Sequence, residues 1–116
     1  MSHIEIARCP ACNDLVSSGW TEPGLGQRAF CTACDADLFV DAFAEQGPDP
    51  RPALRLAGKV VGTAPVRLIE AHGDLWWQLD LAGVPCPACG APIVDLHAAL
   101  HTCRRCGAAM ESVDPP

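Results

Sequence analysis

The eight cysteines constrain the fold of this chain more than any other feature, because all of them occur in pairs with the same C-x-x-C spacing. The pairs are Cys9/Cys12, Cys31/Cys34, Cys86/Cys89 and Cys103/Cys106. Disulfides of small secreted domains usually join cysteines at irregular spacings, since they bridge distant strands and loops. A tight turn with two thiolates instead supplies two ligands at about 2.3 Å from one metal ion, and two such turns complete a tetrahedral site. The pattern therefore predicts two four-cysteine metal sites in a reducing compartment, the cytoplasm.

The spacing between the pairs favours joining each turn to its neighbour along the chain. Eighteen residues separate the first two pairs and thirteen separate the last two, close to the spacing of zinc sites. The predicted sites are Cys9, Cys12, Cys31 and Cys34 for site 1, and Cys86, Cys89, Cys103 and Cys106 for site 2. Crossed pairing, such as Cys9/Cys12 with Cys103/Cys106, stays open because a loop about four times longer costs only roughly 1.2 kcal/mol more to close. Disulfides or redox-active pairs are a third alternative.

The residues in and after the turns resemble a known kind of metal site. Residues 9–12 and 86–89 both read Cys-Pro-Ala-Cys, and Gly90 and Gly107 follow the last two pairs, where the backbone often needs a positive φ. Asn13 and Asp35 occupy the equivalent positions after the first two pairs. After glycine, asparagine and aspartate are the residues that best tolerate a positive φ. The chain thus resembles the zinc-ribbon superfamily, with rubredoxin-like knuckles used twice over residues 6–44 and 84–111. The resemblance implies two Zn²⁺ ions, with iron as the alternative.

Between the knuckles, the sequence predicts a short antiparallel β-segment. Residues 66–70 and 75–81 alternate in polarity as half-buried strands do, and residues 71–74 have the composition of a hairpin turn. Residues 54–61 make a third candidate strand, and residues 38–43 a strand that completes the first ribbon. Val94 to Thr102 is the one helical candidate, with Asp95 suited to its start. We expect a small, metal-stabilised, mainly β protein with a short helix in the second ribbon.

These patterns divide the chain into segments. Residues 1–46 would form the first zinc ribbon, 47–52 a proline-rich linker, 53–84 the β-segment, and 85–116 the second ribbon and a tail. No stretch is long and apolar enough to span a membrane, and residues 1–10 show no signal-peptide pattern. Seven arginines against one lysine, with abundant alanine and proline, suggest a bacterial source of high GC content.

The charge of the chain argues against a general nucleic-acid binder. Its formal net charge is −6, and two zinc ions, each bound by four thiolates, would take it to about −10. Five acidic residues between Asp35 and Asp49 have no basic residue among them, and they form either a solvated edge of the ribbon or a face for a basic partner. Arg104 and Arg105, inside the last knuckle, keep a nucleic-acid-associated transcription or translation factor open as the alternative, with strongly salt-sensitive binding.

No residue constellation for catalysis is found. The sequence lacks a phosphate-binding glycine loop, a nucleophile elbow and the H-E-x-x-H motif, and a closed four-cysteine site leaves no position for an activated water. His97 and His101 stand four residues apart and could replace knuckle cysteines in a site of two cysteines and two histidines, although a surface role fits them better. We therefore expect no enzyme, and a rubredoxin-like or redox-sensing protein is a further alternative.

The predicted activity is binding to another protein, as an adaptor or as an accessory subunit of a larger enzyme. Trp76 and Trp77 are neighbours on one strand and point to opposite faces, so Trp77 is expected in the hairpin core with Leu75, Leu79 and Leu81. Trp76 is expected outside that core, where either a ribbon covers it or it anchors a partner. Tryptophan is a common interface hot spot, and Arg67 on the neighbouring strand could stack against it. The candidate partner-binding residues are Trp76, Arg67, Arg104 and Arg105, with Arg55 and Lys59 as further basic residues on the strands.

Overall fold

The computed structural model describes residues 5–17 and 26–113. The predicted tail at 114–116 and the first four residues of the N-terminal segment lie outside that part of the chain. In chain order the elements are β1 (Ile6–Arg8), β2 (Leu15–Ser17), β3 (Gln27–Cys31), β4 (Leu38–Val40), β5 (Ala53–Leu56), β6 (Lys59–Thr63), β7 (Val66–Ala71), β8 (Asp74–Leu79), β9 (Ile93–Asp95), α1 (Leu96–His101) and β10 (Glu111–Val113). The protein is small and mainly β, with one short helix in the described ranges, as predicted. No helix within the described ranges is long and apolar enough to cross a membrane.

Three antiparallel sheets organise these strands. The first has the order β10-β1-β2, the second β6-β5-β4-β3-β9, and the third is the β7-β8 hairpin. The five-stranded sheet draws β3 and β4 from the first predicted segment, β5 and β6 from the middle one, and β9 from the last. The predicted boundaries at residues 46, 52 and 84 therefore do not separate the sheets, and as boundaries of folding units they stay a prediction.

Strand β3 is buried on both faces and holds the two hydrophobic clusters together. Its Ala29 and Cys31 face the main core, where strands β4, β5 and β9 meet the end of the hairpin at Leu79. Phe30 points the other way, into a smaller cluster with Val16 and Ala99. Because side chains alternate along a strand, β3 can serve both clusters at once.

Two hairpins have two-residue turns with positive φ at both central positions. The predicted turn between β7 and β8 is confirmed, with His72 at φ 53° and Gly73 at φ 81°. The predicted strand over residues 54–61 is wrong, because Ala57 (φ 51°) and Gly58 (φ 82°) reverse the chain and split it into β5 and β6. Alanine gives little turn signal, since such turns favour Asn-Gly or Asp-Gly.

The helix and the buried face of the hairpin match the predictions in part. Asp95 caps α1 by accepting a hydrogen bond from the Ala98 N–H at 2.8 Å, as its position suggested. Trp77 is half-buried, and its indole N–H donates to the Gly47 carbonyl at 3.0 Å. Leu75, expected on the same buried face, is 56% exposed because the hairpin extends beyond the core at its turn.

Candidate metal centres

The eight cysteines form two clusters, and each cluster joins one knuckle from the first half of the chain to one from the second. The outer site comprises Cys9, Cys12, Cys103 and Cys106, and the inner site comprises Cys31, Cys34, Cys86 and Cys89. None of the eight is in a disulfide. The predicted set of ligands is thus found in two clusters of four cysteines, but the predicted sequential grouping is wrong.

Strand pairing explains why the two middle knuckles form the inner site and the first and last knuckles form the outer site. Strand β1 leads into Cys9 and pairs with β10, which follows the knuckle at Cys103. Strand β3 ends at Cys31 and pairs there with Ile93 of β9, which follows the knuckle at Cys86. Each long-range pair of strands brings its two knuckles face to face, and the small entropic penalty of the longer loops does not prevent it.

The distances between sulfurs fit a tetrahedral ion. In the outer site, Sγ of Cys9 lies 3.4 Å from that of Cys106, and Sγ of Cys12 lies 3.5 Å from that of Cys103. In the inner site, the corresponding distances are 3.4 Å for Cys31–Cys89 and 3.8 Å for Cys34–Cys86. All four sulfurs of each cluster lie within 4.8 Å of one another. A metal with bonds of about 2.3 Å to sulfur needs tetrahedral edges of about 3.8 Å, so each cluster has the size for one such ion.

Three of the four knuckles share one backbone scaffold. The N–H of the first cysteine donates to the carbonyl five residues later, and the N–H four residues later donates back to its carbonyl. These bonds recur at Cys9, Cys86 and Cys103, with lengths of 2.6–2.9 Å. The residue that makes the return bond has a positive φ in each, namely Asn13 (63°), Gly90 (82°) and Gly107 (79°), as the sequence predicted.

The knuckle at Cys31 is built differently. Asp35 does not have the positive φ predicted for it, since it is not among the residues with that conformation. The chain is instead held to the facing knuckle, where both the N–H and the hydroxyl of Thr32 donate to the Pro92 carbonyl, at 3.0 and 2.9 Å. Strand β3 continues directly into Cys31, so its pairing in the sheet fixes the conformation of this knuckle. The residue with positive φ that the other knuckles use is therefore not needed here.

Within each knuckle the first sulfur is buried and receives backbone hydrogen bonds. Cys9, Cys31, Cys86 and Cys103 are at most 3% exposed. Burial raises the pKa of the Cys31 thiol, but the N–H groups of Ala33 and Cys34, at 3.2 and 3.3 Å, outweigh it and lower that pKa to about 6. At Cys103, backbone N–H groups likewise outweigh burial and lower the pKa of the thiol to about 6. Such N–H groups stabilise a thiolate, which is the form that binds metal.

The second sulfurs behave in the opposite way. The Asp14 N–H lowers the pKa of Cys12, but the sulfurs of Cys9 and Cys103 outweigh it and raise that pKa to about 12. The pKa of Cys34 is also raised to about 12, where the neighbouring sulfurs outweigh the Ala36 N–H. Four thiolates so close together repel one another unless a cation lies between them. The donor set therefore matches a divalent metal ion at each site.

An arginine in the outer site connects it to the inner site. In the sequence, Arg104 lies between the outer ligands Cys103 and Cys106, and its side chain is only 9% exposed. Its guanidinium donates to Asp14 beside the outer site at 3.3 Å, to the carbonyl of the inner ligand Cys31 at 3.2 Å, and to Asp35 at 3.4 Å. It also lies 5.2 Å from the centre of the Phe30 ring. Sequence analysis missed Asp14 as its partner, because no local pattern links residues 90 positions apart.

Arg105 joins the same group of charges from a more exposed position. It donates to Asp35 at 2.8 Å and to Asp14 at 3.4 Å, with its side chain 39% exposed. Both arginines offered as partner-binding residues are thus engaged within the chain. The two aspartates and two arginines form a network over the adjoining faces of the two sites.

The remaining predicted site residues lie away from the cysteine clusters. His97 and His101 are exposed on α1, and neither belongs to a cysteine cluster, so the arrangement of two cysteines with two histidines does not form. Trp76 is half-buried and its indole N–H donates to the Ala71 carbonyl at 3.1 Å. Arg67 is exposed and donates weakly to Gln78 across the hairpin at 3.4 Å.

Both clusters are consistent with zinc-ribbon-like sites, and each has the geometry to hold one metal ion. No protein-family model matches the chain, and no curated protein or solved structure matches it significantly.

Proposed function

We propose that the protein is a cytoplasmic zinc-binding adaptor, in which both four-cysteine centres are structural and the cysteine-free part of the chain binds another protein. Four cysteines satisfy all four positions of a tetrahedral ion, which supports a structural role over a catalytic one. Zinc is the metal proposed, because it is the usual ion of closed sites with four cysteine ligands. Cysteines that serve as metal ligands stay unoxidised in a reducing compartment, which supports the cytoplasm.

The observation that carries the adaptor proposal is the placement of exposed apolar side chains. Of the five large hydrophobic residues exposed within the described ranges, four lie on β6, β7 and β8. We call these four the apolar surface: Val60 (57% exposed), Val61 (46%), Leu68 (49%) and Leu75 (56%). They fall within 16 consecutive positions of a chain whose cysteines all lie elsewhere. Leu68 and Leu75 lie on the same face of the hairpin, because Leu75 pairs with Glu70, two positions from Leu68. Exposed apolar residues that share a face are typical of protein-interaction sites, and Val60 and Val61 add one apolar side chain to each face of the preceding strand β6.

One of the strands that carry this surface, β6, is also open to pairing. Strand β6 is at one end of the five-stranded sheet and all five of its residues are exposed. The β7-β8 hairpin is a sheet of only two strands, which is marginal without further packing. An edge strand presents unpaired N–H and carbonyl groups to an incoming chain. The proposed partner therefore supplies an extended apolar segment that adds to β6 and covers the hairpin.

A cross-linking experiment with a matched control tests this proposal. A photoactivatable residue at position 70, on the exposed hairpin, is used in the native host to capture neighbours of the full-length chain. We expect one stoichiometric protein partner, lost when Leu75→Glu is introduced and retained with Leu15→Glu. Leu15 is 60% exposed in a different sheet, so the control adds the same charge at equal exposure. A partner captured equally by both variants, or by neither, would refute the assignment to the apolar surface.

The alternatives have their own tests. Arg104 and Arg105 pair with aspartates, so they give the nucleic-acid alternative little free positive charge. An electrophoretic shift that disappears on Arg105→Ala would favour it nevertheless. A visible absorption band from thiolate-bound iron in anaerobically purified protein would favour the rubredoxin-like alternative over a zinc adaptor.

A further inference from the structure

The helix α1 presents two histidines side by side. His97 and His101 are four positions apart, a spacing that places side chains on the same helix face, and both are exposed. Their ring centroids lie 4.6 Å apart in an edge-to-face arrangement. Neither histidine belongs to a cysteine cluster, so the metal centres do not account for the pair.

The backbone beneath this pair is held firmly. Asp95 caps the first turn of α1, and the side chain of Ala99 is fully buried beneath the helix. The C-terminal end is fixed by the Met110 N–H, which donates to the His101 carbonyl at 3.0 Å. Two imidazoles on a fixed backbone lose little conformational freedom when they bind a common ligand.

The histidines line a cavity of about 400 Å³ between α1, β1 and β10. Its other lining residues include Glu5, Met110 and Ser112. No lysine or arginine is among the described residues that line it. The cavity therefore places a pair of imidazoles where no basic residue among the described ones competes with a cation, on a chain of net charge −6.

We propose that His97 and His101 form a third metal site, separate from the two four-cysteine centres, that binds a first-row transition-metal ion reversibly. Imidazole is the commonest protein ligand for such ions, and a pair at this spacing on a helix binds one ion from a single face. Imidazole nitrogens suit Ni²⁺, Cu²⁺ and Zn²⁺, whereas Mg²⁺ and Ca²⁺ prefer oxygen ligands. With two protein nitrogens and an open cavity, the site keeps positions for water, so its metal exchanges while the cysteine-bound metals stay in place.

Calorimetric titration with NiCl2 tests the site on the full-length, untagged protein with both four-cysteine sites loaded with zinc. The titration is done in a His3→Ala background, because a histidine near the amino terminus also binds nickel, and we expect one nickel ion per chain. Replacing one ligand, in His97→Ala or His101→Ala, weakens binding by about tenfold or more, because a two-point contact becomes a single one. His72→Ala is the matched control, since His72 is an exposed histidine on the hairpin turn, and it leaves the affinity unchanged.

Two further readouts make the result decisive. Zinc content, measured after the titration, shows whether nickel entered a cysteine site instead, and retention of two zinc ions in each variant shows that it folds. Nickel uptake at the expense of zinc, or equal affinity in the wild type and the His97→Ala/His101→Ala double variant, would overturn the proposal. Magnesium chloride added in excess is expected not to compete, and competition by it would overturn the assignment of metal class.

Discussion

Replacing Arg104 with alanine is expected to destabilise the whole protein, because this one side chain connects the two metal sites. Its guanidinium is almost buried, and it contacts Asp14, the Cys31 carbonyl and the Phe30 ring. Removing one partner of a buried ion pair costs about 3–5 kcal/mol, since the remaining charge loses its compensation. Arg105 still contacts Asp14 in the variant, so the lower end of that range, about 3 kcal/mol, is expected for the loss in free energy of unfolding.

Arg105→Ala is the matched control for this prediction. It removes the same charge from the neighbouring position, but Arg105 is 39% exposed and its shorter ion pair is with Asp35, which is 82% exposed. Exposed ion pairs contribute about 0–1 kcal/mol. The two variants should therefore differ by about 2–3 kcal/mol in urea unfolding of the zinc-saturated protein, followed by far-ultraviolet circular dichroism. Equal losses in both variants would show that burial of Arg104 between the sites does not set its contribution.

Three further perturbations follow from the same structure. In the metal-free inner site the pKa values of Cys34 (about 12) and Cys89 are raised, so zinc must displace at least two protons at pH 7. Its apparent affinity should then fall about hundredfold for each pH unit of acidification, and a change below tenfold in chelator competition would contradict this. Ala57→Asn should raise the free energy of unfolding by about 1 kcal/mol, because asparagine tolerates the φ of 51° better; His72→Asn, at the equivalent turn, should change it less. Cys34→Ser and Cys12→Ser should each weaken zinc binding at the other site by at least about fivefold, since closing one loop shortens the other and the two binding equilibria are therefore coupled. Unchanged affinity at the intact site in either variant would refute the coupling.

The local features of the knuckles and turns could be predicted from the sequence. The glycines after two of the knuckles, Asn13 after another, and the His72-Gly73 turn all have the backbone conformation that their residue types favour. The helix predicted at Val94–Thr102 occurs as Leu96–His101. In each case the signal lies within a few residues, where backbone preference is strongest.

The grouping of the ligands could not be predicted in the same way. Both groupings use the same four knuckles, and their loop-closure costs differ by only about 1 kcal/mol. The choice is made by the pairing of β1 with β10 and of β3 with β9, and three-residue strands such as β1 and β10 carry almost no pairing signal. Asp35 is a smaller example of the same effect. It lacks the positive φ predicted for it, because the sheet that ends at Cys31 fixes the conformation of this knuckle instead.

Along the sequence, the cysteines of the inner site lie between those of the outer site, and this order determines which site can be completed first during synthesis. A chain emerging from the ribosome holds all four inner ligands once Cys89 has been added, while the outer site must wait for Cys103 and Cys106. Through that interval, Cys9 and Cys12 remain half of a site, and β1 lacks its neighbour β10. The cysteines that are made first are therefore the last to acquire a complete set of ligands.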